Sequence, residues 1–385
     1  MRIFKQTPLA WLQIKKEKGR FLVAIAGVVF ADVLMFFQLG QLDALFDGAT
    51  LVLRKMQGEI VIINAATRTV TNLEPFPRER LFQALSYEPV KSVNILYSSN
   101  VIWTNPETKQ RRGIAVWGVD PANPSLQVDG LAAESDRLKL LSNILFDQTS
   151  RPEFGAIPAL LQQRSDVEVQ VNGQMMRTVG LFKLGASFSA DGNIIASDST
   201  FLKLVRNRTA DRIDVGLITL QPGADIQAMV QALRRDLPPD VRVLSLSDWV
   251  AEERAYWETQ GLGIIFLTGV VIGFGVGIII VYQILHSNVV DHLPEYATLK
   301  AMGYSNNFLL TMLLQQVFLL AILGFIPGFF ASIGIYHLTY VLTLTPVAMK
   351  AERAVLVLFL TVLMCSASGF IAIQKLRSAD PADIF

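Results

Sequence analysis

The sequence predicts an α-helical membrane protein with four transmembrane helices, grouped one plus three, and a large α+β periplasmic domain inserted between the first and second helices. Three observations lead there. Apolar runs occupy Phe21–Phe37, Gly261–Leu285, Phe308–Leu338 and Ala354–Gln374, and each approaches or exceeds the roughly 20 apolar residues a helix needs to cross a bilayer. Hydrophobic residues make up 51% of the chain while the formal net charge is only +1. Most of the charges lie between Asp47 and Trp257, a stretch long enough to build a core of its own.

Residues 1–20 read as a cytoplasmic or interfacial helix. Thr7 and Pro8 suit an N-cap and a first helical position. Leu9, Trp11, Leu12 and Ile14 then mix with Lys15, Lys16 and Lys18, as in a helix lying on the inner membrane surface. Residues 21–46 give the first transmembrane helix and its stalk. This run is too long for a signal-peptide core, carries Asp32 and lacks a small-residue cleavage pattern, so it reads as a retained anchor. Arg2, Lys5, Lys15, Lys16, Lys18 and Arg20 precede it, opposed only by Glu17. The positive-inside rule therefore puts the N-terminus in the cytoplasm and the inserted domain outside, and Lys375 and Arg377 return the C-terminus to the cytoplasm. An inner-membrane, multi-pass location follows.

Residues 47–250 form the inserted domain. Glu59–Asn64 reads as a strand, Pro77–Ser86 as a short helix, and Val90–Thr104 as one or two strands. Arg111–Val119 follows the Asn105-Pro106-Glu107 turn and makes a hairpin. Val167–Val171 and Met175–Phe182 flank Asn172-Gly173, a pair suited to a type I′ turn. Asp214–Leu220, Ala224–Leu237 and Val241–Leu246 read as strand, helix, strand. A helix from Ser247 or Asp248 then leads directly into the second span, within residues 251–286.

In that span Gly269, Gly273 and Gly277 fall at four-residue spacing and share one face, which admits either another part of this chain or a second copy. Residues 287–306 form a cytoplasmic loop. Residues 307–340 hold the third span, where Gly324, Pro327 and Gly328 mark a kink or hinge, because proline removes a backbone hydrogen bond and crowds the preceding turn. A periplasmic loop at 341–352, the fourth span at 353–375 and a cytoplasmic tail at 376–385 complete the chain. Asp32 sits in the middle of the first span. An ionised carboxylate there costs about 2.5–3.5 kcal/mol on insertion scales, so it is expected to face protein, protonated or hydrogen-bonded to Gln315, Gln316 or a tyrosine hydroxyl. A structural or interface role is favoured over a proton relay, since no second acid lies deep in the other spans.

Several functions are excluded. Balanced charge argues against nucleic acid as a ligand. The single cysteine, Cys365, removes disulfides, cysteine-ligated zinc and a dithiol active site. No histidine occurs between Asp47 and Trp257, which takes away the usual general base and the commonest metal ligand. Ser197-Asp198-Ser199 lacks a catalytic partner and reads as an ordinary loop. The chain itself is expected to bind no cofactor or metal and to catalyse nothing.

The most specific stretch is Asp291-His292-Leu293-Pro294-Glu295-Tyr296-Ala297-Thr298-Leu299-Lys300-Ala301-Met302-Gly303-Tyr304. Pro294 can open a short helix, Glu295 suits its positive end and Gly303 can close it. The Glu-x-Ala-x-Leu-Lys-Ala-Met-Gly pattern, between the second and third of four spans, resembles the MacB/FtsX-like permeases of ABC transporters. The fuller wording is similar to the DevC family of cyanobacterial exporter permeases, through Phe146-Asp147 to Gly155, Tyr282-Gln283-Ile284-Leu285, His292 to Tyr304, Leu323-Gly324-Phe325-Ile326-Pro327-Gly328 and Ala379-Asp380-Pro381-Ala382-Asp383-Ile384-Phe385.

The resemblance implies a non-catalytic, mechanotransmission-type permease that dimerises and sits on a separate ABC ATPase. ATP and Mg would bind there, since this chain has no Gly-x-x-x-x-Gly-Lys-[Ser/Thr] loop. Asp291, His292, Leu293, Pro294, Glu295, Tyr296, Thr298, Leu299, Lys300 and Met302 would form the coupling helix. The inserted domain would meet a periplasmic membrane-fusion adaptor and a TolC-like outer-membrane channel. The cargo would be lipid-like, with envelope glycolipid the class known in the family. The alternative is an FtsX-type transmembrane regulator of a periplasmic cell-wall hydrolase.

Overall fold

The computed structural model describes residues 18–186, 190–291, 298, 302, 306–343 and 347–378. Most of the expected N-terminal surface helix (1–20) and cytoplasmic tail (376–385) falls outside them; residues 18–20 open the first long helix and 376–378 end the last. The chain divides into two compact units: Leu45–Gln260, and a helical unit drawn from Met1–Ala44 and Gly261–Phe385. Helix α1 (Lys18–Thr50) opens the described chain and crosses from the second of these into the first.

The inserted unit holds β1 (Ile60–Asn64), β2 (Phe76–Pro77), α2 (Glu79–Gln83), β3 (Val90–Thr104), β4 (Arg111–Val119), α3 (Ser135–Leu138) and β5 (Asn143–Asp147). Next come α4 (Ile157–Gln163), β6 (Val167–Val171), β7 (Gln174–Phe182), β8 (Asn193–Ser197) and α5 (Asp198–Leu204). It ends with β9 (Arg212–Ile213), β10 (Val215–Leu220), α6 (Ile226–Asp236), β11 (Val241–Ser245) and α7 (Leu246–Thr259). A nine-stranded mixed sheet runs β11-β1-β10-β3-β4-β8-β5-β7-β6. The end of β3 also pairs with β6, Trp103 opposite Val171, so the strands from β3 to β6 close into a ring.

Side-chain alternation along the strands explains the two cores. Ile60 and Ile62 enter one with Trp103, Phe146, Phe154 and Phe201. Val61 and Ile63, one residue out of phase, enter the other with Trp117, Phe182 and Trp249. The Asn-Gly turn between β6 and β7 forms as its sequence predicts, with φ of 49° at Asn172 and 78° at Gly173. Both values belong to the type I′ turn that matches strand twist.

Two local expectations need correction. Ser197-Asp198-Ser199 is not a loop: Ser197 closes β8 and its Oγ accepts the Thr200 N–H at 3.2 Å, capping α5. The helix after β11 does not lead directly into the second span. It stops at Gln260, whose backbone is extended at φ −79° and ψ 160°. Gly261 and Gly263 follow, and glycine is a poor helix former.

The helical unit consists of the first part of α1 with α8 (Gly261–Asp291), α9 (Asn306–Thr343) and α10 (Ala351–Ser378). Among the described residues, four segments are long and apolar enough to cross a membrane: Phe21–Thr50, Gly261–Ser287, Leu314–Thr343 and Ala351–Ala372. Helix α9 runs continuously through Pro327.

Candidate functional site

The helical unit is assembled around small residues on α8 and α9 that let α1 approach. A Cβ on Gly273 would lie 3.2 Å from Leu34, and one on Gly277 would lie 2.9 Å from Ala31. Gly269 meets Gln38, and Gly27 of α1 meets Ile280. Residue numbers fall along α8 as they rise along α1, so these helices pack antiparallel. The Gly269, Gly273 and Gly277 strip thus packs within the chain, against α1 and, at Gly277, against Met364 of α10 as well.

On α9 the numbers rise together with α1. A Cβ on Gly324 would lie 2.5 Å from Val28, and one on Gly328 would lie 3.0 Å from Asp32. Gly40 of α1 returns the arrangement, because a Cβ there would reach the Tyr336 ring at 2.7 Å. The two glycines flanking Pro327 therefore serve close helix packing.

Among the described residues, two polar centres join α1 to the other helices. Asp32 is fully buried. Its Oδ1 lies 2.6 Å from Thr361 Oγ1 on α10, and Thr361 Oγ1 lies 2.8 Å from the Val357 carbonyl. Neither Gln315, Gln316 nor a tyrosine supplies the contact, in contrast to the expectation from sequence. Gln315 is exposed, and the buried Tyr336 hydroxyl is engaged elsewhere, donating to Phe36 O at 2.5 Å.

That hydroxyl belongs to the second centre. Arg353 is buried, its side chain only 4% exposed. Its Nη2 donates to Asp43 Oδ2 at 2.5 Å and its Nε to the same oxygen at 3.2 Å. Its Nη1 donates to Tyr336 Oη at 2.9 Å and to Ala348 O at 3.1 Å. Residues from α1, α9 and α10 thus meet on one guanidinium, whose planar fork of donors suits several fixed acceptors at once. Sequence reasoning missed this cluster. A signal was available, since Asp43 and Arg353 sit just beyond the same predicted end of the first and fourth runs.

The residues of the predicted coupling helix are described only in part. Asp291 ends α8 and is exposed, as are Thr298 and Met302. The Met302 N–H donates to the Thr298 carbonyl at 3.0 Å, a helical spacing. His292, Leu293, Pro294, Glu295, Tyr296, Leu299 and Lys300 lie outside the described residues.

Residues 265–381 match the family model described as FtsX-like permease C-terminal. This part of the chain is similar to the C-terminal domain of FtsX-like permeases. It takes in most of α8 and all of α9 and α10, so Arg353, Tyr336 and Thr361 lie in the FtsX-like region while Asp32 and Asp43 lie outside it. No curated protein matches the chain. Among solved structures, the chain is similar to the periplasmic region of MacB from Actinobacillus actinomycetemcomitans, at 12% identity and TM-score 0.37, covering 54% of this chain and 96% of that one. It is similar also to the extracellular domain of the noncanonic ABC-type transporter YknZ from Gram-positive bacteria, at 14% identity and TM-score 0.34, covering 48% and 98%.

Proposed function

We propose that the chain is the permease subunit of a tripartite ABC exporter that couples ATP hydrolysis on a separate subunit to movement of its inserted domain. The observation that carries this reading is the FtsX-like permease match across residues 265–381. It falls in a chain whose mixed α/β unit separates the first apolar helix from the other three. Both termini are cytoplasmic and the inserted domain is periplasmic. The segment from Asp291 to Met302 seats on the ATPase, which holds ATP and Mg. The permease works as a homodimer. The inserted domain engages a periplasmic adaptor and, through it, a TolC-like channel.

Cargo is taken from the periplasm or outer leaflet and pushed outward. The DevC resemblance supports a lipid-like cargo of the glycolipid class. Bending about Gly324, Pro327 and Gly328 would let α9 follow the stroke.

Charge reversal at the docking helix tests the coupling. Glu295→Lys and Lys300→Glu are expected to lower stimulation of the partner's ATP hydrolysis at least several-fold while the permease still reaches the membrane. Wild-type stimulation in both variants would count against the coupling role.

A further inference from the structure

We infer that Asp32 is held as a neutral carboxylic acid, donating its own hydrogen to Thr361 and acting as an uncharged staple between α1 and α10. The reasoning is a count of hydrogens. Thr361 Oγ1 makes two close contacts, to the Val357 carbonyl at 2.8 Å and to Asp32 at 2.6 Å, and a hydroxyl carries one hydrogen. The Val357 carbonyl can only accept. It takes the Thr361 hydrogen in the usual bond back to the fourth preceding residue. A hydrogen on the carboxyl would give the short Asp32 contact a donor of its own, in place of one Thr361 hydrogen shared between two acceptors.

Ser368 shows the contrast: its Oγ lies 2.9 Å from both Ile278 O and Met364 O. There both neighbours are carbonyls and one hydrogen must be shared. At Thr361 one neighbour can bring a hydrogen of its own.

The surroundings point the same way. Asp32 has no solvent exposure, and its Oδ2 has no hydrogen-bond partner among the described residues. An ionised carboxylate would leave that oxygen charged and bare, at a cost far above that of a neutral carbonyl oxygen. Oδ2 faces Gly328 of α9, within 3.4 Å of where a Cβ would stand.

Among the described residues no cation pairs with Asp32. On α1 the next acid is Asp43, already bound to Arg353. On α10 the titratable neighbour is Cys365, buried and one turn beyond Thr361. On α9 the titratable group nearest in sequence to Gly328 is Tyr336, which packs at Gly40 and is occupied by Phe36 and Arg353. On α8 the first titratable group after Gly277 is Tyr282, whose ring is tilted 50° against His286. This inference concerns one proton in the helical packing and does not depend on the export reading.

Infrared spectroscopy of the full-length protein in lipid nanodiscs at neutral pH tests it, comparing wild type with Asp32→Asn and Thr361→Val. The expected result is loss of one protonated-carboxyl C=O band in Asp32→Asn, with the same band moved to higher frequency in Thr361→Val. A change confined to the ionised-carboxylate bands would overturn the inference, as would a carboxyl band that Thr361→Val leaves in place. Thermal unfolding gives a second readout. Asp32→Asn keeps an N–H donor for Thr361 and should melt within about 2 °C of wild type, whereas Asp32→Leu should melt about 4–8 °C lower. Equal losses in the two variants would contradict a neutral donor.

Discussion

Arg353 can be buried beside apolar helices because three oxygens converge on it, from Asp43, Tyr336 and Ala348. Removing one partner from such a group leaves an uncompensated charge. Asp43→Asn, which leaves the buried guanidinium without its counter-charge, is therefore expected to cost about 3–5 kcal/mol, and Arg353→Met with Asp43→Asn should cost clearly less than those same two changes made singly and summed. A double-mutant cycle by thermal unfolding checks this, and additive losses would mean the pair is not coupled. In the inserted unit, Glu253 is buried and accepts from Val70 N–H at 3.0 Å and Trp257 Nε1–H at 2.9 Å. Burial pushes its carboxyl above the ordinary value of 4.5, against the lowering effect of those two hydrogen bonds. The folded domain then holds this proton more tightly than the unfolded chain does. Its contribution to stability is greatest at low pH and is lost as pH rises from about that value through the folded pKa. Melting of the domain between pH 4 and 7 should show that slope, and Glu253→Gln should flatten it; an unchanged slope would show that Glu253 does not titrate in this range.

Elements pack here through glycines placed for close approach, and the same logic sorts those that matter. Gly324→Ala drives a methyl into Val28 and is expected to cost about 1–3 kcal/mol. Gly334, on the same helix, has nothing within 4 Å of a Cβ. Gly334→Ala should be neutral or stabilise by up to about 1 kcal/mol through helix propensity. Melting temperatures of the two variants separate them, and equal effects would contradict the α1–α9 packing. Much of this level was legible in the sequence. Apolar runs long enough to span marked the helices, and Asn172-Gly173 marked a hairpin. Strands β5 and β8 were not read, because five residues buried on every side show no alternation to set them apart. The Asp43–Arg353 pair was hidden for a different reason: its partners are 310 positions apart, and only the packing of α1 on α10 joins them. Asp32 was legible as a buried acid, but its partner Thr361 was not, since hydroxyls in apolar helices are common and most bond their own backbone.

At the scale of the molecule, four apolar helices carry a large mixed α/β unit between the first and second. Two polar centres staple α1 to the helices of the FtsX-like region, at Asp32 and at Asp43. The proposed transmission of movement requires helices that travel together, and these contacts join α1 to α9 and α10. In the proposed exporter the energy enters from outside the chain, through Asp291 to Met302, so the partner decides the function. The most direct measurement is a mild-detergent pull-down of the tagged full-length protein from its native membrane, with mass spectrometry of everything retained. The expected result is an ABC ATPase together with a periplasmic adaptor. An ATPase retained with a cell-wall hydrolase would replace export by regulation, and recovery of the permease with no ATPase at all would contradict the coupling mechanism itself.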